Sequence, residues 1–423
     1  PMKPHEYIDQ EDRYGAHNYH PLPVVLQRGE GPYVWDVEGN RYFDFLSAYS
    51  AVNQGHSHPR IVGALVDQAR TLALTSRAFY NDQLGAMEEA MATRFGYDKV
   101  LAMNSGAEAV ETALKLARRW AYDVKGVSND QAIILVASQN FHGRTSTIVS
   151  FSSDPDSYGG FGPAMPGFQI IPYDDLAALD RALTNPNVAA FLVEPIQGEA
   201  GVYVPSDGYI EGAAARCRAA NVLFMADEIQ TGIGRTGAWL ATCGTCSCAA
   251  GRCERDPQTY VRADVLILGK ALSGGVYPIS AVLADDEIML TIKPGQHGST
   301  FGGNPIAARV AQVALQVVED EQLMQRARRQ GAHFRDTLAR DLGSHPLVAL
   351  IRGRGLLNAV VINTPEDSHV AWDLCVAMAK AGVLAKPTHG NIIRFAPPLV
   401  LTDAELDEAL GRIVHTVKNF TAA

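Results

Sequence analysis

Val222-Leu223-Phe224-Met225-Ala226-Asp227-Glu228-Ile229-Gln230-Thr231-Gly232 is the stretch that decides the fold. An unbroken apolar run that ends in carboxylates is a strand buried on both faces, with its polar residues left at the carboxyl end. Similar runs recur at Val100–Met103, Ala132–Val136, Ala190–Val193, Val265–Leu268 and Ile279–Leu283, with helical stretches between them. Strands that alternate with helices in this way predict a mostly parallel sheet covered by helices. Ligands of open α/β sheets bind outside the carboxyl ends of the strands, where Asn104-Ser105-Gly106, Glu194-Pro195, Asp227-Glu228 and Gly269-Lys270 fall.

The rest of the chain is read outward from that block. Residues 1–50 are expected to form an extended N-terminal arm with a short hairpin, Tyr33-Val34-Trp35 and Arg41-Tyr42-Phe43 flanking the turn Glu38-Gly39-Asn40. Residues 51–310 are expected to form the large α/β domain, with a cysteine-rich loop at 242–263. Residues 311–423 carry a long helical stretch to about Arg340, strand-like Leu356–Ile362 and Ile392–Phe395, and a closing helix from Asp403. That pattern predicts a smaller α+β domain.

Composition excludes some classes of function. With 423 residues, 47% of them hydrophobic, the chain is too long for one ordinary core. Its 36 basic and 46 acidic residues give 36 − 46 = −10, which argues against nucleic acid or an anionic membrane as partner. No apolar run approaches the roughly 18 residues of a membrane span, and no signal or transit segment is read at the start. Pro1 ahead of Met2 reads as a remnant of recombinant expression or of a cut, so cytoplasm and mitochondrial matrix are both open.

Three features carry chemistry. Ser105 and Glu108 have capping-box spacing, so a helix starts directly after a strand and presents free N–H groups to an anion. Asp227 ends one strand, and Lys270 ends another among Gly269, Ala271, Leu272 and Ser273. An enclosed lysine has a lowered pKa and becomes a nucleophile. An anion site, a carboxylate and a buried amine are what pyridoxal phosphate requires: a phosphate seat, a partner for the pyridine nitrogen and a Schiff-base lysine.

The stretches HNYHPLP, WDVEGNRYFDFLSAYSAVNQGHSHP, VEPIQGEAGV, ADEIQTG, LGKALSGG, GQHGSTFGGNP and AKPTHGNIIRFAPPL resemble the class III (fold type I) pyridoxal phosphate aminotransferases from His17 to the C-terminal helix. Within that family the branch acting on ornithine is the most similar. The resemblance implies that Lys270 is the Schiff-base lysine and proton shuttle, and that Asp227 pairs with the pyridinium nitrogen. It implies that Phe141 stacks on the ring, that Gln230 bonds the ring hydroxyl, and that Gly106 and Ala107 offer N–H groups to the phosphate. Ser299 and Thr300 would reach the phosphate of a neighbouring subunit, which implies a homodimer with shared active sites.

On the substrate side the resemblance points to Tyr19, Tyr49, Arg144, Glu199 and Arg394. Arg144 would take the α-carboxylate of L-ornithine and Tyr19 its α-amine. Glu199 and Arg394 would pair while ornithine is bound and part for 2-oxoglutarate, the acceptor that leaves as L-glutamate. Tyr49 would discriminate against 4-aminobutyrate and acetylornithine. His142 after Phe141 and Ser105 before Gly106 depart from the ornithine pattern toward the acetylornithine branch.

Two groups are left over. Cys243, Cys246, Cys248 and Cys253 crowd one loop that is longer than the resemblance leads one to expect; it reads as an exposed loop, a thiol switch or a zinc site. No metal is assigned. His56 and His58 have metal-ligand spacing without a nearby Asp, Glu or Cys, so they read as loop hydrogen-bonding residues.

Overall fold

Fifteen strands organise the described residues, 2–243 and 261–421 of the computed structural model. The first three are β1 (Leu26–Glu30), β2 (Tyr33–Asp36) and β3 (Arg41–Asp44). The next seven are β4 (Lys99–Met103), β5 (Ile133–Ala137), β6 (Phe168–Ile171), β7 (Val188–Val193), β8 (Leu223–Asp227), β9 (Val265–Leu268) and β10 (Ser280–Ala284). The last five are β11 (Val348–Arg354), β12 (Leu357–Ile362), β13 (Val383–Leu384), β14 (Lys386–Thr388) and β15 (Ile392–Phe395).

The seven middle strands make one sheet in the order β4-β10-β9-β8-β7-β5-β6, in which β10 runs against both neighbours and the remaining pairs are parallel. Side chains alternate across a strand, so in β9 Leu266 and Leu268 join the apolar cluster on one face while Val265 and Ile267 join the cluster on the other. The same split puts Leu223 and Met225 on one face of β8, and Phe224 and Ala226 on the other. Both faces are covered, which is why these runs are continuously apolar. Each such Leu or Ile contributes about 2 kcal/mol by leaving water.

The C-terminal strands form a second sheet, β11-β12-β15-β14, backed by the helices Leu323–Leu342, Val370–Lys380 and Asp403–Lys418. The N-terminal segment is built into this part. β3 pairs in parallel with β13, matching Phe43 to Val383 and Asp44 to Leu384. Phe45 then packs between Phe334 and Phe395, with ring centroids 6.1 and 6.3 Å away.

Several expectations are corrected. The start of the chain is not simply extended: Pro4–Tyr14 is a helix with Pro4 in its first turn, Glu6 near its amino end and Arg13 in its last turn, as the dipole favours. The helical stretch after Pro305 is two helices, Pro305–Asp320 and Leu323–Leu342, separated by Gln322 in the left-handed conformation at φ 53°. The first of them spans the expected domain boundary at 310 and packs its apolar side against the large sheet's cluster. Of the cysteine-rich loop, Cys243 is buried in a short 3₁₀ turn, whereas Cys246, Cys248 and Cys253 lie outside the described residues.

Helix Leu323–Leu342 meets the β11–β12 turn at Gly331, where an added Cβ would fall 1.8 Å from the Gly355 carbonyl oxygen. Gly331→Ala in a helix would ordinarily stabilise by up to about 1 kcal/mol. Here overpacking should reverse the sign and destabilise by about 2 kcal/mol, measurable as a lowered urea midpoint.

Candidate active site

Strand register collects the chemistry at one edge of the large sheet. Asp227 of β8 stands opposite Ile267 of β9, so Lys270, three residues beyond Ile267, projects past the same edge. Val193 of β7 pairs with Ala226, which sets Glu194 beside Asp227. On the far side Ser280, opening β10, donates its hydroxyl to the Ser105 carbonyl at 2.6 Å and ties down the turn after β4.

That turn starts the helix Gly106–Trp120 with the expected capping box. Glu108 N–H donates to Ser105 Oγ at 3.2 Å, and Ser105 N–H donates to Glu108 Oε2 at 2.8 Å. The first-turn N–H groups of Gly106 and Ala107 have no intrahelical acceptor and face a cavity of about 180 Å³. Phe141, Glu199, Asp227, Gln230 and Lys270 line the same cavity. A wider vestibule of about 690 Å³ adjoins it through Phe141 and Glu199, with Arg144 in its wall. The Arg144 guanidinium lies 5.7 Å from the centre of the Phe141 ring.

Tyr49 and Arg394 come from other parts of the chain and stand beside Lys270 and Glu199 of the cavity wall. The Tyr49 ring lies 5.6 Å from Lys270 Nζ and 5.0 Å from the Arg394 guanidinium. Arg394, in β15, is 4% exposed and donates from Nη1 to Glu199 Oε2 at 2.7 Å, while its Nε has no acceptor among the described residues. Tyr49 itself sits in an unusual backbone. Ser47, Ala48, Tyr49 and Ser50 all have positive φ, 53°, 48°, 60° and 73°, one turn of left-handed helix that costs about 1–2 kcal/mol per residue.

Burial sets the electrostatics. It lowers the Lys270 pKa, with Arg394 adding to the effect and Glu199 and Asp227 opposing it. Burial together with the charge of Asp227 raises Glu194 well above the usual carboxylate range, toward the neutral acid, against hydrogen bonds from the N–H groups of Phe141 and Gly198. Burial would also raise Glu199, but the charge and hydrogen bond of Arg394 outweigh it and hold that carboxylate low.

Tyr19, 68% exposed, lies outside both cavities, and Ser299 and Thr300, expected at a neighbouring subunit's site, lie outside that of their own chain. Ser299 accepts a hydrogen bond from Asn104 Nδ2 at 2.8 Å and Thr300 is exposed.

Two residues to which the sequence assigned no role belong to the site. His142 has a fully buried side chain and places Nδ1 2.6 Å from Asp227 Oδ2; its neighbour Phe141 was the only signal. Glu194 accepts from the Phe141 N–H at 2.8 Å, and its place at a strand end was the clue. His56 and His58, read as lacking acidic partners, in fact meet Asp44 and Glu321, each at 2.6 Å; Glu321 comes from a distant part of the chain. No group of three or more potential ligands for a metal occurs among the described residues.

Comparison with known proteins agrees with this geometry. The family described as aminotransferase class-III matches residues 14–417. The chain belongs to the class III aminotransferases. It is 56% identical to the mitochondrial ornithine aminotransferase of Rattus norvegicus over 98% of this chain and 91% of that one. Among solved structures it superimposes on ornithine aminotransferase from Toxoplasma gondii with a TM-score of 0.93 at 48% identity, covering 99% of this chain and 96% of that one. It also superimposes on a structure named acetylornithine aminotransferase from Elizabethkingia anophelis, with a TM-score of 0.88 at 53% identity, covering 99% and 100%.

Class III aminotransferases depend on pyridoxal phosphate, and the cavity fits that group. Free N–H donors stand at the helix start, an aromatic wall at Phe141, a carboxylate held by His142 at Asp227, and a desolvated amine at Lys270. Only the uncharged amine attacks an aldehyde. Because the Lys270 pKa is lowered, the free amine dominates at lower pH than for an ordinary lysine at 10.5. The rate at which apo-protein combines with pyridoxal phosphate should therefore rise with pH and level off below 10.5. A rate still climbing there would contradict the burial effect.

Proposed function

We propose that this class III aminotransferase moves the δ-amino group of L-ornithine to 2-oxoglutarate by a ping-pong mechanism. The products are L-glutamate and glutamate 5-semialdehyde, which closes to pyrroline-5-carboxylate. The observation that carries this reading is the Glu199–Arg394 pair, joined at 2.7 Å beneath the Tyr49 ring and beside Lys270. The identity with named ornithine aminotransferases supports it.

Ornithine brings a distal amine with no carboxylate beside it, so a bare cation near Lys270 would repel it. Pairing with Glu199 cancels the charge of Arg394. At the other end, Arg144 in the vestibule wall binds the α-carboxylate with its planar fork, and Tyr19 contacts the α-amine. 2-Oxoglutarate instead brings an α-carboxylate to the inner end. Arg394 then leaves Glu199 and pairs with the substrate, so one pocket serves two differently charged ends.

Pyridoxal phosphate, when bound, supplies the electron sink for the carbanion left by proton loss. The amine of Lys270 would take that proton from the substrate carbon and hold it for return, and its lowered pKa favours the free-base form this role needs. Asp227, oriented by His142, would hold the pyridine nitrogen protonated. Phe141 would stack on its ring, Gln230 would bond its hydroxyl, and Gly106 and Ala107 would offer N–H groups to its phosphate.

Ser299 and Thr300 complete the phosphate seat of a second subunit in a homodimer. Their position outside their own cavity supports this, as do exposed Phe79, Tyr80 and Phe301 at 70%, 95% and 50%. Acetylornithine is the second reading, favoured by Phe141-His142 and by the Elizabethkingia neighbour. Tyr49 narrows the inner pocket against it.

Ornithine alone, added to holoenzyme, should bleach the visible absorption and release a stoichiometric amount of pyrroline-5-carboxylate. Bleaching only by acetylornithine or 4-aminobutyrate would keep the chemistry and replace the substrate. Lys270→Ala should keep the fold by circular dichroism and lose turnover. Glu199→Gln should lower kcat/KM for ornithine about a hundredfold, close to 3 kcal/mol, because the Arg394 charge is left uncompensated. The half-reaction with glutamate, read by stopped flow, should be spared.

A further inference from the structure

His56 was left over from the sequence, and the structure puts it at one end of a chain of contacts that ends at Tyr49. Asp44, the last residue of β3, accepts on Oδ1 from the N–H groups of Leu46 and Ser47 at 2.9 and 2.8 Å. These N–H groups open the left-handed turn Ser47–Ser50. On its other oxygen, Asp44 Oδ2 meets His56 Nε2 at 2.6 Å. His56 is itself clamped: its N–H donates to the Gly31 carbonyl at 2.8 Å, and its carbonyl accepts from Gly31 N–H at 3.1 Å. Its ring lies flush on Gly29 of β1, where an added Cβ would fall 2.9 Å from the His56 Cβ and Cγ.

A left-handed turn of non-glycine residues persists only where its surroundings over-determine it. Inside the turn, the Tyr49 N–H donates to Leu46 O at 3.0 Å and the Ala51 N–H to Ser47 O at 2.9 Å. Such bonds are equally available to a relaxed turn of other hand. Fixing the two leading N–H groups on one carboxylate, and that carboxylate on a clamped imidazole, removes the freedom to relax. Beyond the turn, the Tyr49 carbonyl accepts from Gln230 Nε2 at 3.4 Å and its ring covers Lys270 and Arg394.

We propose that Asp44 and His56 are positioning residues: from the N-terminal hairpin they hold the left-handed turn that places the Tyr49 ring over Lys270 and Arg394, and so set the preference for ornithine over 4-aminobutyrate. This rests on the reading of Tyr49 as the residue that discriminates between these substrates. Neither residue touches substrate. His56 is the cleaner probe, because the charge of Asp44 also acts on the buried Arg235.

The test compares holoenzyme carrying His56→Ala, His56→Gln, Tyr49→Ile and the double change His56→Ala with Tyr49→Ile. The readouts are the ratio of kcat/KM for ornithine to that for 4-aminobutyrate and hydrogen exchange of peptides covering residues 44–52. His56→Ala should lower the ratio about tenfold, in the direction of Tyr49→Ile, and speed exchange in the turn. His56→Gln, whose amide can still donate to Asp44, should keep both close to the parent. In the Tyr49→Ile background, His56→Ala should leave the ratio within about twofold, since the ring it positions is gone.

Equal loss for both substrates, or unchanged exchange, would overturn the proposal as a merely structural role. A ratio moved by Tyr49→Ile but not by His56→Ala overturns this proposal alone. A ratio untouched by Tyr49→Ile overturns the reading of Tyr49 and the proposal with it. If His56→Ala does not fold, Gly29→Ala on the exposed ribbon displaces the same ring and carries the same comparison.

Discussion

Arg235 is fully buried, and its guanidinium binds three separate parts of the chain at once. Nη1 donates to the carbonyls of Leu356 and Pro397 at 2.9 and 2.6 Å, and Nη2 donates to Asn53 Oδ1 at 2.7 Å. Burial depresses its pKa to about 9, with the charge of Asp44 opposing. An uncompensated buried cation costs about 3–5 kcal/mol, so these acceptors cannot drift away without penalty. Asn53 follows the turn carrying Tyr49, Pro397 follows Arg394, and Arg235 follows the strand carrying Asp227. One buried charge thereby ties together the N-terminal segment, the small sheet and the large sheet, the three parts whose meeting makes the cavity.

Within that cavity, removal from water is the common cause of the unusual protonation states. The same desolvation that lowers the Lys270 pKa raises that of Glu194 beside Asp227. It also makes the Glu199–Arg394 pair a balanced element. Each partner is costly to bury alone, and in the proposed reaction a substrate carboxylate would take the place of Glu199 opposite Arg394. His142 holds Asp227 in a similarly dry place, its Nε2 buried without a partner among the described residues.

Much of this was legible in the sequence, for a physical reason. Strands buried on both faces leave unbroken apolar runs, so β5, β7, β8, β9 and β10 were read within one or two residues of their bounds. Two strands with a wet face or polar insertions, β6 and β11, were missed. β6 is a short edge strand whose middle residues are exposed, and β11 carries Arg352, Gly353 and Arg354, which dilute its pattern. The break at Gln322 was invisible, since nothing in a non-glycine residue announces positive φ. Capping at Ser105 and Glu108 was legible, being local.

The sequence by itself determined the strand-end groups, Gly106, Glu194, Asp227 and Lys270, and the common edge they share, because strand register and chain connectivity follow from local pattern. Only tertiary structure decided which long-range pairs those groups enter: His142 with Asp227, Glu199 with Arg394, His56 with Asp44. Partners separated by up to 195 positions are chosen by how packed layers approach, and in a dry interior every charge must find one. The left-handed turn at Tyr49 belongs with these pairs. Its backbone is unfavourable in isolation and exists only because Asp44 and its surroundings hold it.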